Sequence, residues 1–160
     1  MRSVWMARAA AAALALSFLA GCETLGTMSG SRAEQNLPPR GRALPPPRPQ
    51  GTKLTVTDGD KGQTFQVKLG DRIAVSLVGQ PTAGYQWVAP KPPSILKEAG
   101  RLSGPTISDQ LYPGYTGGNH WEVIAFDAIK TGSGKLNLEQ VGPGASKPAN
   151  TFTVRFEVVK

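Results

Sequence analysis

The chain has 160 residues, 39% of them hydrophobic, and a formal net charge of +7, which leaves room for one domain of ordinary size. The charge does not mark a nucleic-acid binder. The first fifty residues hold six arginines against two glutamates, while residues 51–160 hold twelve basic side chains against nine acidic ones with no basic face or helix among them.

Residues 1–21 place Arg2 and Arg8 ahead of an apolar run from residue 9 to residue 20, the layout of a secretory signal peptide and too short to cross a bilayer. The run ends Leu19-Ala20-Gly21-Cys22, which resembles the lipobox of bacterial lipoprotein precursors. That resemblance implies removal of residues 1–21 and two or three acyl chains, palmitate among them, on Cys22. Such a number holds a protein stably at a membrane, where one chain does not. Cys22 is the only cysteine, so no internal disulfide is available, and acylation removes a thiol that would be a liability in an oxidising compartment. The alternative is a lone buried cysteine behind an ordinary signal peptide. Glu23, where some lineages use Asp to retain lipoproteins at the inner membrane, favours the outer membrane and hence a cell-envelope location.

Residues 22–50 are almost free of large apolar side chains and interleave Pro38, Pro39, Pro45, Pro46, Pro47 and Pro49 with arginines. This composition predicts a tether, extended where proline dominates and flexible elsewhere. A docking ligand at Leu44-Pro45-Pro46-Pro47-Arg48, or arginines touching anionic lipid or cell-wall polymer, is the competing reading.

Residues 51–160 alternate apolar and polar positions, with Gly, Pro, Asn and Asp at short intervals, which predicts strands and turns. Leu54 and Val56, then Phe65 and Val67, then Ile73, Val75 and Leu77 mark three strands, and residues 85–89 a fourth. The Pro- and Gly-rich stretch 90–118 predicts short strands around residues 95–98 and near Leu111. Residues 120–129, Leu136 with Leu138, and Phe152, Val154, Phe156 and Val158 complete the set. Seven to eight short strands with no convincing helix predict an all-β domain, an immunoglobulin-like antiparallel β-sandwich, with a closed barrel as the alternative. Phe65, Trp87, Trp121, Phe126, Phe152 and Phe156 are the expected aromatic core, unless one tryptophan stacks on carbohydrate.

Catalytic chemistry finds little to work with. His120 is the only histidine, and with Cys22 committed to lipid no Cys/His pair or histidine-based metal site assembles within one chain. His120 reads as a solvated residue at a strand edge. Asp58 and Asp60 read as turn formers beside Gly59 and Gly62, with a calcium loop as the weaker reading. Gly132-Ser133-Gly134-Lys135 lacks the strand-to-helix context of a phosphate loop. No enzyme, no cofactor and no metal are expected.

Function is then expected on loops. Three of them combine Pro with Gly: residues 79–87, residues 112–118 leading into His120-Trp121, and residues 141–148. Glycine lets a partner approach the backbone and proline limits the entropy lost on binding, a combination suited to a preorganised wedge. Ordinary turn chemistry is the plain alternative.

Pro81-Thr82-Ala83-Gly84-Tyr85-Gln86-Trp87 and Gly117-Gly118-Asn119-His120-Trp121 resemble the first two loops of the chagasin-like inhibitors of papain-like cysteine proteases, and Gly132-Ser133-Gly134 matches their next turn loosely. The resemblance spans residues 52–160 and implies a reversible, tight-binding inhibitor, a monomer whose three loops fill a protease cleft. It assigns contacts to Pro81, Thr82, Ala83, Gly84, Tyr85 and Trp87, to Tyr115, Gly117, Gly118 and Trp121, and to Gly142, Pro143 and Gly144. The backbone at Thr82-Ala83-Gly84 would pass the catalytic cysteine, with Tyr85 and Trp87 bracing it from below. The target would be the bacterium's own protease, a host's or a predator's. Two departures stand out. Gln140-Val141-Gly142-Pro143-Gly144 occupies the place of the family's Arg-Pro-Trp, and Gln80 and Ala83 replace Asn and Thr in the first loop. A non-inhibitory module that docks on an envelope protein or glycan is the competing function.

Overall fold

A computed structural model describes residues 36–160; the predicted signal peptide, Cys22 and the first part of the predicted tether lie outside the described residues. Eight strands follow in chain order: β1 Thr52–Thr57, β2 Thr64–Lys68, β3 Arg72–Gly79, β4 Gln86–Val88, β5 Leu96–Pro105, β6 His120–Ala128, β7 Gly132–Val141 and β8 Asn150–Val159. They form two four-stranded sheets, β1-β3-β6-β5 and β2-β8-β7-β4. This is the expected immunoglobulin-like sandwich, with one difference. β1 runs parallel to β3 and β2 parallel to β8, so both sheets are mixed at one edge.

Alternation is what builds the layers. Ile73, Val75 and Leu77 on β3, Ile124 and Phe126 on β6, Leu136 and Leu138 on β7, and Val154 and Phe156 on β8 all project between the sheets and are at most 2% exposed. Trp87 and Phe152 join them. Phe65 is half-buried beside Phe156, its ring centroid 6.1 Å away. Each such side chain contributes roughly 1.5–3 kcal/mol through burial.

The stretch 90–118 departs from expectation. The strand expected around residues 95–98 is present but runs on for ten residues as β5, and the segment near Leu111 is a 3-10 helix, Ser108–Leu111. Gly100, at φ +145°, sits at a register irregularity between Glu98 and Gly100, so the strand bends there without ending. At Leu111 the side chain of Gln110 replaces a strand partner. Its Oε1 accepts from the Thr106 N–H at 2.6 Å and the Ile107 N–H at 3.2 Å, closing a local turn.

Residues 38–50, read from composition as the end of a tether, lie on the domain. Ala43 bridges Ile107 in antiparallel fashion, the Leu44 N–H donates to Thr106 O at 2.8 Å and the Ser108 N–H donates to Arg42 O at 2.8 Å. Farther along, the Trp121 indole donates to Leu44 O at 2.8 Å, and Arg72 Nη1 donates to Gln50 O at 3.1 Å. This strap crosses the outer face of the β3-β6-β5 sheet. Pro47 lies over Gly104 on that face, and Ala74, Ser76, Val123 and Ala125, which point away from the core, are nonetheless 0–3% exposed. Trp121 therefore belongs to this outer layer and not to the aromatic core.

Candidate functional site: three interlocked loops

Strand register brings the three connections to one end. Gly79 and Pro105 both stand opposite His120, while Gln86 stands opposite Val141 and Gln140 opposite Asn150. The loops 80–85, 106–119 and 142–149 consequently leave the sandwich side by side.

Local sequence fixes the first loop. Pro81, with its φ preset, opens a 3-10 turn Pro81–Ala83, and Gly84 closes it in the left-handed region at φ +80°. The Ala83 N–H donates to Gln80 O at 3.0 Å and the Gly84 N–H to Pro81 O at 2.9 Å. Thr82, Ala83 and Gly84 form the exposed tip, with Pro81 and Tyr85 half-buried.

Glycines then let the loops touch. A Cβ on Gly84 would lie 2.5 Å from Pro143 Cγ, and a Cβ on Gly142 would lie 2.6 Å from Tyr85 Cε1. The third loop thus packs its Pro143 on the first loop's Gly84 and takes the Tyr85 ring against its own backbone. Gln80 Nε2 donates to Asn119 Oδ1 at 3.0 Å, joining the first loop to the second. A shallow recess of about 360 Å³ lies among all three, lined by Gln80, Tyr85, Asn119, Gln140 and Ala149 together with Val78 and Gly79.

In the second loop Tyr115 is exposed, and Gly117 and Gly118 have φ +77° and +88°. A Cβ on Gly118 would meet Tyr115 Oη at 2.9 Å. Gln110 Nε2 and Thr106 Oγ1 both donate to Asn119 O, at 2.6 and 3.0 Å. His120 is half-buried, its Nδ1 3.2 Å from Gly118 O. Pro143 and Gly144 are exposed on the third loop. Trp121 sits just after the second loop, but its indole is turned to the outer face beneath the strap.

The floor of the site contains residues that sequence reasoning missed. Trp87 is 2% exposed, and its indole donates to Val78 O at 3.0 Å. On the open edge of β4, the Trp87 N–H donates to Glu122 Oε2 at 2.9 Å, and Trp87 O accepts from Arg101 Nη1 at 2.7 Å. A carboxylate from β6 and a guanidinium from β5 thereby stand in for a neighbouring strand. Burial pushes the Glu122 carboxyl up from its ordinary value, against the Trp87 N–H and the Arg101 charge, which pull it down. Glu122 Oε1 is buried without a partner, under Gly79, where a Cβ would fall on that carboxylate. The signal was present in the sequence: Glu122 shares strand parity with Ile124, Phe126 and Ala128, the core-facing positions of β6.

The sequences 80–86 and 112–119 contain no charged side chain. Those two stretches therefore offer an uncharged, backbone-rich surface, with Lys147 the one charged side chain of the third loop. The fold and site together define a β-sandwich with three converging, interlocked loops at one end. The family profile described as chagasin family peptidase inhibitor I42 matches residues 66–158, and the chain belongs to that family. Amoebiasin-1 of Entamoeba histolytica (strain ATCC 30459 / HM-1:IMSS / ABRM) is 28% identical over 108 residues, covering 66% of this chain and 99% of Amoebiasin-1. The solution structure of Amebosin superposes with a TM-score of 0.55 at 27% identity, covering 68% of this chain and 100% of Amebosin. The crystal structure of the cysteine protease inhibitor EhICP2 from Entamoeba histolytica gives a TM-score of 0.56 at 18% identity with the same coverage, a likeness of fold.

Proposed function

We propose that this chain is a reversible, tight-binding inhibitor of papain-like cysteine proteases whose three loops enter the active-site cleft. The observation that carries the proposal is the mutual packing of the loops: Gly84 on Pro143, Tyr85 on Gly142 and Gln80 on Asn119. A wedge that is already assembled loses little entropy on binding. The exposed Thr82-Ala83-Gly84 backbone leads, and the partner's cysteine meets no scissile bond held in a productive geometry. Tyr115, Gly117 and Gly118 flank it on one side and Pro143 and Gly144 on the other.

The third loop works differently from the pattern that the Arg-Pro-Trp motif represents. Aromatic and arginine anchors dominate many interfaces, and residues 140–144 supply neither. Pro143 instead buttresses the first loop, so the inhibitor's contact energy comes chiefly from the first two loops. Steady-state inhibition of papain by the soluble chain from Asn36 onward tests this. Inhibition that is lost in Gly84→Glu is the expected result, and no inhibition at tens of micromolar would overturn the reading. The missing anchors favour the second reading, a binding module for an envelope protein or glycan; capture of such a partner that survives Gly84→Glu would support it.

For localisation we propose lipid attachment at Cys22 and residence in the cell envelope, at the outer membrane. The supporting observation is the Leu19-Ala20-Gly21-Cys22 sequence. Fractionation of the full chain and of Cys22→Ser is the test: the variant should leave the membrane fraction, and retention there would refute acylation.

A further inference from the structure

The strap does more than cover a sheet. It meets the second loop at four residues, Thr106, Ser108, Asp109 and Tyr112. Leu44 N–H donates to Thr106 O, and Ser108 Oγ donates to Pro39 O at 2.6 Å while accepting from the Arg42 N–H at 3.0 Å. Tyr112 Oη donates to Pro38 O at 2.9 Å, and the Arg40 guanidinium lies 4.0 Å over the Tyr112 ring. At the other end of the same loop, Leu44 O holds the Trp121 indole. The loop that carries Tyr115, Gly117 and Gly118 is thus gripped on both sides by one extended segment.

From the grip a hydrogen-bonded line reaches the tip of the site. Thr106 Oγ1 and Gln110 Nε2 donate to Asn119 O, and Asn119 Oδ1 accepts from Gln80 Nε2 at the base of the first loop. Three glycines in residues 114–118 have positive φ, which leaves that stretch with much backbone freedom to lose when it is held. Proline in the strap has little to lose. A stiff segment holding a supple loop is an economical way to preorganise it.

We propose that residues 38–44 are a positioning element of the inhibitor, which holds the second loop, and through Asn119 the first, in binding geometry. The inference rests on the inhibitory reading above. No strap residue needs to touch the protease. Releasing the strap makes the bound state pay for ordering residues 112–119, and the inhibition constant rises by about ten- to a hundredfold.

The test uses the full chain in detergent and two variants. Leu44→Pro removes a strap N–H outside the sandwich strands, and Ser108→Ala with Tyr112→Phe removes both loop hydroxyls that bond the strap. Amide exchange at Ser108 and residues 112–119 reports release, thermal unfolding reports stability, and papain inhibition is measured well below the midpoint. The expected result is faster exchange in the loop and a weaker inhibition constant at an almost unchanged midpoint, a combination that a stabilising role alone does not produce. Faster exchange with unchanged inhibition would overturn the proposal, as would unchanged exchange in both variants. A full chain that fails to inhibit at all refutes the inhibitory reading itself, and is told apart because the variants are then compared with an inactive parent.

Discussion

Gly84 is held by two separate constraints, its left-handed φ of +80° and the 2.5 Å approach of Pro143 Cγ to where its Cβ would be. Gly84→Ala should therefore destabilise the fold by roughly 1–3 kcal/mol in denaturant titration. Pro143→Ala in the same chain should return only the part due to contact, because the backbone strain stays. Glu122 gives a second expectation, with a sign that follows from its environment. Burial raises its carboxyl above the ordinary 4.5, so the folded state holds the proton more tightly than the unfolded one. Its contribution to stability is greatest in acid and falls as pH rises from about 4.5 through the folded value. Glu122→Gln removes that slope; thermal midpoints of the two proteins should converge in acid and shift in the variant's favour towards neutral pH. The loop glycines and Pro81 were legible from sequence because their roles are local, in φ and turn type. Glu122 and Arg101 were not singled out, because their partner is the backbone of a strand in the other sheet, 35 and 14 residues away.

At the scale of elements, strand positions at residues 52–57, 64–68, 72–79 and 150–159 follow from period-two alternation, which needs no knowledge of partners. The continuation of β5 past Glu98 and the 3-10 helix Ser108–Leu111 escaped because the Pro and Gly in 90–118 read as breaks. One glycine is absorbed by a bulge and Gln110 supplies the hydrogen bonds of the turn. β4 is only three residues long and depends on side chains to cap its free edge. Arg101→Met should cost about 0.5–1.5 kcal/mol, the range for one hydrogen bond, and should quicken exchange around residues 86–88. The same change should weaken papain inhibition less than Gly84→Glu does, since the loop tip is untouched.

Across the molecule, the strap changes where the chain approaches the domain. Its contacts run from Tyr112 at the loop end to Arg72 at the far end, so the start of the strap at Pro38 lies beside the candidate site. Asn36 stands fourteen positions after Cys22, a fully extended reach of about 50 Å. With Cys22 acylated, a captured protease would sit within that distance of the membrane. The far end bears the Arg72–Asp127 pair, Nε to Oδ1 at 2.7 Å. Hydrogen bonding to Arg72 holds the Asp127 carboxyl below its ordinary 3.8. Its stabilising effect is present above that value and is lost as pH falls through the lowered one; Asp127→Asn should flatten acid unfolding below pH 4 while leaving inhibition unchanged. The sequence by itself determined the sandwich, most of its core and the local turn geometry of the first loop, because alternation, Pro and Gly act within a few residues. Only the tertiary structure decided that the loops interlock, that Trp121 faces outward and that a Pro-rich segment grips the second loop. Those depend on contacts between residues tens of positions apart, where composition shows that a segment is extended but not what it lies against.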